Sequence, residues 1–286
     1  MLEEIRELGF EYSELSHGIR LSLLPGIIEA VEGGVIKIST LHNFCPLPIG
    51  INHAAPNVFR FTSKDRRERE RAFRQTLQTL DLAQRLGARL VVLHMGSIEM
   101  REYTDRLLEM IGAGQGGSPR YERLCAELEE RRQERREVHE NFAYEILGLL
   151  EKEAASRNLQ LGIENREALE EIPFEVDFGF IFMQFNAGVV RYWHDTGHGQ
   201  IKENLGFINH AQHVAGLVEH LAGFHIHDVA MPGRDHLPPG RGMIDFPALA
   251  PFVKPGHIKV LELHPSVASE EVLEGLAYVK SVWGEA

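Results

Sequence analysis

Leu159-Gln-Leu-Gly-Ile-Glu164, Val189-Val-Arg-Tyr-Trp-His-Asp195-Thr-Gly-His198, Leu221-Ala-Gly-Phe-His225-Ile-His227-Asp228 and His257-Ile-Lys-Val-Leu-Glu262 follow one another along the second half of the chain. Each is an apolar run that finishes in a carboxylate or an imidazole. Runs rich in Val, Ile and Leu read as strands of a parallel sheet, and polar groups gathered at strand carboxyl ends are where α/β barrels carry their chemistry. On that reading Glu164, Asp195, His225 and Glu262 converge on one divalent cation, with three hard carboxylates and one imidazole as ligands.

Outward from these segments the pattern alternates helix and strand, which predicts βα units. Strands are expected to begin near residues 10, 35, 89, 159, 189, 223 and 258. Helices are expected over 2–8, 23–31, 64–86, one long charged helix or a broken pair over 121–156, then near 168–184, 201–220 and 246–253, with a terminal helix over 270–283. The fold class is therefore α/β, a (β/α)8 TIM barrel in which seven strands are visible and the first is missing. A barrel opens in a strand and this chain opens in a helix, so Met1 is expected to be an internal methionine of a longer protein.

Composition bounds the function. With 286 residues, 43% of them hydrophobic, the chain can bury a sizeable core, and residues 1–286 read as one domain. The formal charge of -12 argues against non-specific nucleic-acid binding, which relies on clustered Lys and Arg. Six basic and three acidic residues alternate over 64–74, and six basic face seven acidic over 120–140, a pattern of solvated faces with i,i+4 pairs. Two distant cysteines, Cys45 and Cys125, point to a reducing compartment, and the acidic start lacks the features of a secretion signal. No apolar run is long enough for a spanning helix. Together these read as a cytoplasmic protein without membrane or nucleic-acid partners. The glycines at 112–117 follow no strand and precede no Gly-Lys-[Ser/Thr], so they form a loop and not a phosphate cradle. Phe178, Phe180, Phe182 and Phe185 read as core or subunit-interface packing, and a homodimer is a candidate assembly.

Ile163-Glu-Asn-Arg-Glu167, His194-Asp-Thr-Gly-His198, Phe224-His-Ile-His-Asp228, Asp235-His-Leu-Pro-Pro-Gly-Arg-Gly242 and Leu261-Glu-Leu263 carry a family resemblance. In order and spacing they resemble the xylose isomerase-like TIM barrel superfamily, over about residues 4 to 283. That group includes ketose 3-epimerases, hydroxypyruvate isomerases, inosose dehydratases and the apurinic endonuclease IV type. The epimerase-like pattern implies Glu164, Asp195, His225 and Glu262 as metal ligands, with a small polyhydroxylated substrate, a sugar, sugar acid or cyclitol, bound through adjacent carbonyl and hydroxyl oxygens. Glu164 and Glu262 would then carry the proton during metal-chelated enolisation, and His198 would hydrogen-bond a substrate hydroxyl. An arginine often stands in the ketose epimerases where this chain has His236, a departure from their pattern.

The endonuclease-like pattern implies three metals with nine ligands. Matching residue types stand here at His42, His94, Glu164, Asp195, His198, His225, His236 and Glu262, eight of the nine. The ninth, an aspartate two residues before His236, is Arg234, with Asp235 beside it. This pattern makes a multinuclear phosphodiesterase the competing function. The cofactor is in either case a divalent metal, manganese, zinc, cobalt, iron or magnesium, and the histidine-rich set favours the softer ions over magnesium. His42 and His94 are open between ligating metal and lining the pocket. His94, His227 and His236 are candidate substrate contacts. His227 shares a strand face with His225 and is otherwise a buried, hydrogen-bonded residue. Glu14, which also ends a strand, is assigned a structural role.

Overall fold

A computed structural model describes residues 1–284. By their contacts these fall into two compact units, the first made of Met1–Ser97, His139–Glu164 and Ile181–Arg191, the second of Ile98–Val138, Asn165–Phe180 and Tyr192 onward. The strands are β1 (Tyr12–Leu15), β2 (Lys37–His42), β3 (Leu90–Leu93), β4 (Gln160–Glu164), β5 (Val190–Asp195), β6 (Leu221–Ile226), β7 (Asp228–Ala230), β8 (Arg234–Leu237) and β9 (Ile258–Leu261). Seven of them are neighbours in the order β1-β2-β3-β4-β5-β6-β9, and β7 and β8 form a separate antiparallel pair. The helices are α1 (Leu2–Glu7), α2 (Leu24–Glu32), α3 (Arg66–Arg85), α4 (Thr104–Gly112), α5 (Pro119–Ser156), α6 (Asp177–Gln184), α7 (Thr196–Asn204), α8 (His210–Leu217), α9 (Phe246–Leu249) and α10 (Ser269–Trp283).

In the first unit β1, β2, β3 and β4 pair in parallel. All four residues of β3 are buried, as the unbroken run Leu90-Val-Val-Leu93 requires of a strand covered on both faces. The register sets His42 opposite Val92 and Leu93 opposite Ile163, so His94 and Glu164 each stand one residue beyond a paired position. Asp65 caps α3 by accepting from the Arg67 backbone N–H, and the helix buries Ala72, Thr76, Leu80 and Ala83 at helical spacing.

In the second unit β5 pairs with β6 and β6 with β9, all parallel. Asp195 is the register partner of His225, and the Glu262 N–H donates to Ile226 O just past the last rung between β6 and β9. Asp195 also caps α7, its Oδ1 accepting from His198 N at 2.7 Å. One residue thus ends the strand and starts the helix.

Three features depart from the pattern read in the sequence. The helix near 168–184 is confined to Asp177–Gln184, because Pro173 has no N–H to give and Glu170 bonds the backbone of Tyr103 and Thr104 instead of sitting on a helical face. The segment 201–220 is two helices, α7 and α8, parted by Gly206 at φ 79°. The pair β7–β8 and the helix α4 stand where no element was read. The long charged segment is one helix, Pro119–Ser156. Among the described residues no helix is long and apolar enough to cross a membrane.

Candidate metal centre

In the first unit His42 ends β2, His94 follows β3 and Glu164 ends β4. His94 Nε2 lies 2.7 Å from Glu164 Oε2 and 3.0 Å from His42 Nε2, and His42 Nε2 lies 3.4 Å from the same carboxylate oxygen. All three are buried. The outer nitrogens are held by oxygens: His42 Nδ1 is 2.9 Å from Asn43 O, and His94 Nδ1 is 3.3 Å from Asn57 Oδ1. With the proton on each Nδ1, both Nε2 lone pairs and the carboxylate face one another, and three electron-pair donors in one spot are a set that could hold a cation. Asn43, the residue after His42, is itself anchored: Nδ2 donates to Thr76 Oγ1, and Oδ1 accepts from Thr79 Oγ1, each at 3.0 Å. His17 packs edge-on against His42 with ring centroids 4.7 Å apart.

In the second unit Asp195, His225 and Glu262 come together. His225 Nδ1 is 3.0 Å from Glu262 Oε2 and 3.9 Å from Asp195 Oδ2. Asp195 and His225 are fully buried, whereas the Glu262 side chain is 25% exposed. His227 Nε2 sits 3.0 Å from the Asp195 carboxylate, and its Nδ1 accepts the His236 backbone N–H at 2.9 Å. Both ring nitrogens are therefore committed within the protein. Of the two readings open for His227, the buried, hydrogen-bonded one fits these surroundings; burial works against its charged form, and the Asp195 carboxylate outweighs that and raises its pKa.

His198, also buried, has Nδ1 2.9 Å from Asn165 O and 3.7 Å from Asp195 Oδ1. That bond puts its proton on Nδ1 and leaves Nε2 as the acceptor. His236 stacks on His227 with centroids 4.3 Å apart and places Nδ1 3.0 Å from Asp235 Oδ2. Burial opposes its charge, but Asp235 lifts its pKa to about 9. Asp235 is thus paired with its own neighbour, and Arg234 is exposed.

Two residues that matter here drew no separate attention in the sequence. Asp228 accepts from four backbone N–H groups: Val229 and Ile244 on Oδ1, Gly240 and Gly242 on Oδ2, at 2.8 to 3.0 Å. It fastens the Pro238–Ile244 turn to the end of β6, and a Cβ at Gly242 would stand 2.4 Å from its Oδ1, so the close approach requires glycine. Asn165, the residue after Glu164, hydrogen-bonds the backbone of Asp195. The signal for Asp228 was present in its motif, but three of its four partners are backbone groups 12 to 16 residues away, which no periodicity marks. Glu14 accepts from Thr40 Oγ1 at 2.7 Å.

Parallel strands with intervening helices, and histidines and carboxylates collected at the strand ends, define an α/β protein of the TIM barrel class with a metal-type donor set. The sequence matches the model of the xylose isomerase-like TIM barrel family over residues 2–281, and the chain belongs to that family. No curated protein matches it. Among solved structures it is similar to 3-keto-D-glucoside 4-epimerase from E. coli (17% identity, TM-score 0.67, covering 98% of this chain and 92% of that one). It is similar also to D-psicose 3-epimerase from Clostridium cellulolyticum H10, solved with D-tagatose (14%, 0.65, 99% and 92%). A third is the IOLI protein, solved with a zinc atom (14%, 0.64, 99% and 93%). At these identities the likeness is one of fold.

Proposed function

We propose that Glu164 joins Asp195, His225 and Glu262 in holding one divalent cation, and that the protein is a metal-dependent isomerase or epimerase of a sugar, sugar acid or cyclitol. The observation that carries the reading is the junction of β5, β6 and β9: Asp195 and His225 are register partners, and Glu262 reaches His225 at 3.0 Å. Glu164 is linked to that junction through the chain, because the next residue, Asn165, hydrogen-bonds both backbone groups of Asp195. The donors fit a cation: carboxylates and imidazoles with outer atoms fixed by hydrogen bonds and, except at Glu262, shut away from water. Sugar epimerases among the structures of like fold, and a zinc-bound one, agree with this reading.

A divalent cation supplies, when bound, a Lewis acid that polarises a carbonyl and steadies negative charge on its oxygen. The protein's own part is proton transfer and placement. Glu164 and Glu262 take the proton from the carbon beside the carbonyl and return it, Glu262 being the more exposed of the two. His198, held through Nδ1 by the Asn165 carbonyl, hydrogen-bonds a substrate hydroxyl. Positioned acid–base groups of this sort contribute about 10²- to 10⁴-fold each.

The His42, His94 and Glu164 cluster favours a second reading, a multinuclear metallohydrolase of a phosphodiester, since a second cation there would hold a water against an ester. Elemental analysis of the purified protein separates the two: about one firmly bound ion per chain supports the isomerase, and two or three support the hydrolase.

A further inference from the structure

Where β4 ends at Glu164, the backbone of Asp195 on β5 still needs partners, since buried N–H and C=O groups are rarely left unpaired. The Asn165 side chain supplies them. Its Oδ1 accepts from Asp195 N at 2.7 Å and its Nδ2 donates to Asp195 O at 3.0 Å, so one amide imitates a further strand residue. The Asn165 backbone works on the same spot: its N–H donates to Trp193 O at 3.3 Å and its carbonyl receives His198 Nδ1 at 2.9 Å. Asn165 and Asp195 are both buried, at 1% and 0% exposure, so water cannot substitute.

From this geometry we infer that Asn165 is the positioning residue of the metal centre, fixing the direction of the Asp195 carboxylate and the tautomer of His198 while sharing a peptide bond with Glu164. The inference rests on the function proposed above. A primary amide gives and takes hydrogen bonds in one plane, whereas an ionised carboxylate of this size only accepts. Aspartate would keep the bond from Asp195 N but set an oxygen against Asp195 O. Leucine, of the same branched shape but larger, would lose both bonds.

The test is calorimetric titration of the metal-free protein with Mn2+, run alongside its melting temperature, for the parent, Asn165→Asp and Asn165→Leu. Partners that orient metal ligands typically change affinity by about 10- to 100-fold. Asn165→Asp is expected to weaken Mn2+ binding about tenfold and Asn165→Leu about a hundredfold, with the metal-free melting temperature of the aspartate variant within a few degrees of the parent. Affinities of both variants within about twofold of a parent that binds Mn2+ would overturn the inference alone. So would a collapse of the metal-free fold in both, which would make Asn165 a residue of the fold. A parent that binds no divalent cation would remove the proposed function and this inference with it.

Discussion

At the residue scale, hydrogen bonds decide which histidines are left to bind anything. His227 spends both nitrogens on Asp195 and on the His236 backbone, whereas His42 and His198 each fix Nδ1 on a carbonyl, and His42 turns Nε2 towards His94 and Glu164. Gly197 is part of this arrangement, because a Cβ there would lie 2.0 Å from the His227 ring. Gly197→Ala is therefore expected to cost about 3 kcal/mol or more, as overpacking of a rigid core site does, read from the denaturant midpoint. Removing the Asp228 carboxylate strands four backbone donors at once. Asp228→Ala should cost about 3 kcal/mol, and Asp228→Asn, which keeps one acceptor oxygen, distinctly less. Glu164, Asp195, His225 and Glu262 were legible in the sequence because each closes an apolar run. Asn165 and Asp228 were not, because their partners are main-chain atoms that any residue type would present.

At the element scale, β5 carries a second set of side chains on the face opposite Asp195. Tyr192 Oη lies 2.7 Å from His194 Nδ1 and 2.9 Å from His213 Nε2, and His194 Nε2 lies 2.8 Å from His210 Nε2, which joins β5 to α8. Burial pushes all three imidazoles down, His210 to about 3, His213 to about 4 and His194 well below its ordinary value, with neighbouring histidines adding to the effect on His194 and His210. In the unfolded chain they take up protons near 6.5, so below that pH the unfolded state binds more protons than the folded one. Stability present above pH 6.5 is thus lost as the pH falls towards 4 and then 3. Melting temperature followed from pH 7 to 4 should drop steeply, and less steeply in His210→Gln/His213→Gln. Equal slopes would show that these histidines do not govern acid unfolding. Strand starts read near 10, 35, 89, 159, 189, 223 and 258 correspond to strands beginning at Tyr12, Lys37, Leu90, Gln160, Val190, Leu221 and Ile258. Continuous apolar runs gave those positions. The β7–β8 pair was hidden because Pro232 and Gly233 sit between two very short strands whose bonding is antiparallel and irregular, and α4 because its periodic set, Thr104, Leu107 and Met110, spans only two turns before a glycine-rich run.

At the scale of the whole molecule, the family's span from residue 2 to 281 and a formal charge of -12 suit an enzyme that meets small solutes in preference to nucleic acid. A protein that moves a proton beside a carbonyl must exchange that proton with solvent or carry it from one carbon face to another. The most direct measurement is incorporation of deuterium when the Mn2+-loaded protein is incubated in D2O with a panel of ketoses, sugar acids and cyclitol ketones. The account predicts deuterium at the carbon next to a carbonyl in at least one of them, abolished in Glu262→Gln. Metal-dependent cleavage of a phosphate diester by the same preparation, with no deuterium entering any sugar, would contradict it.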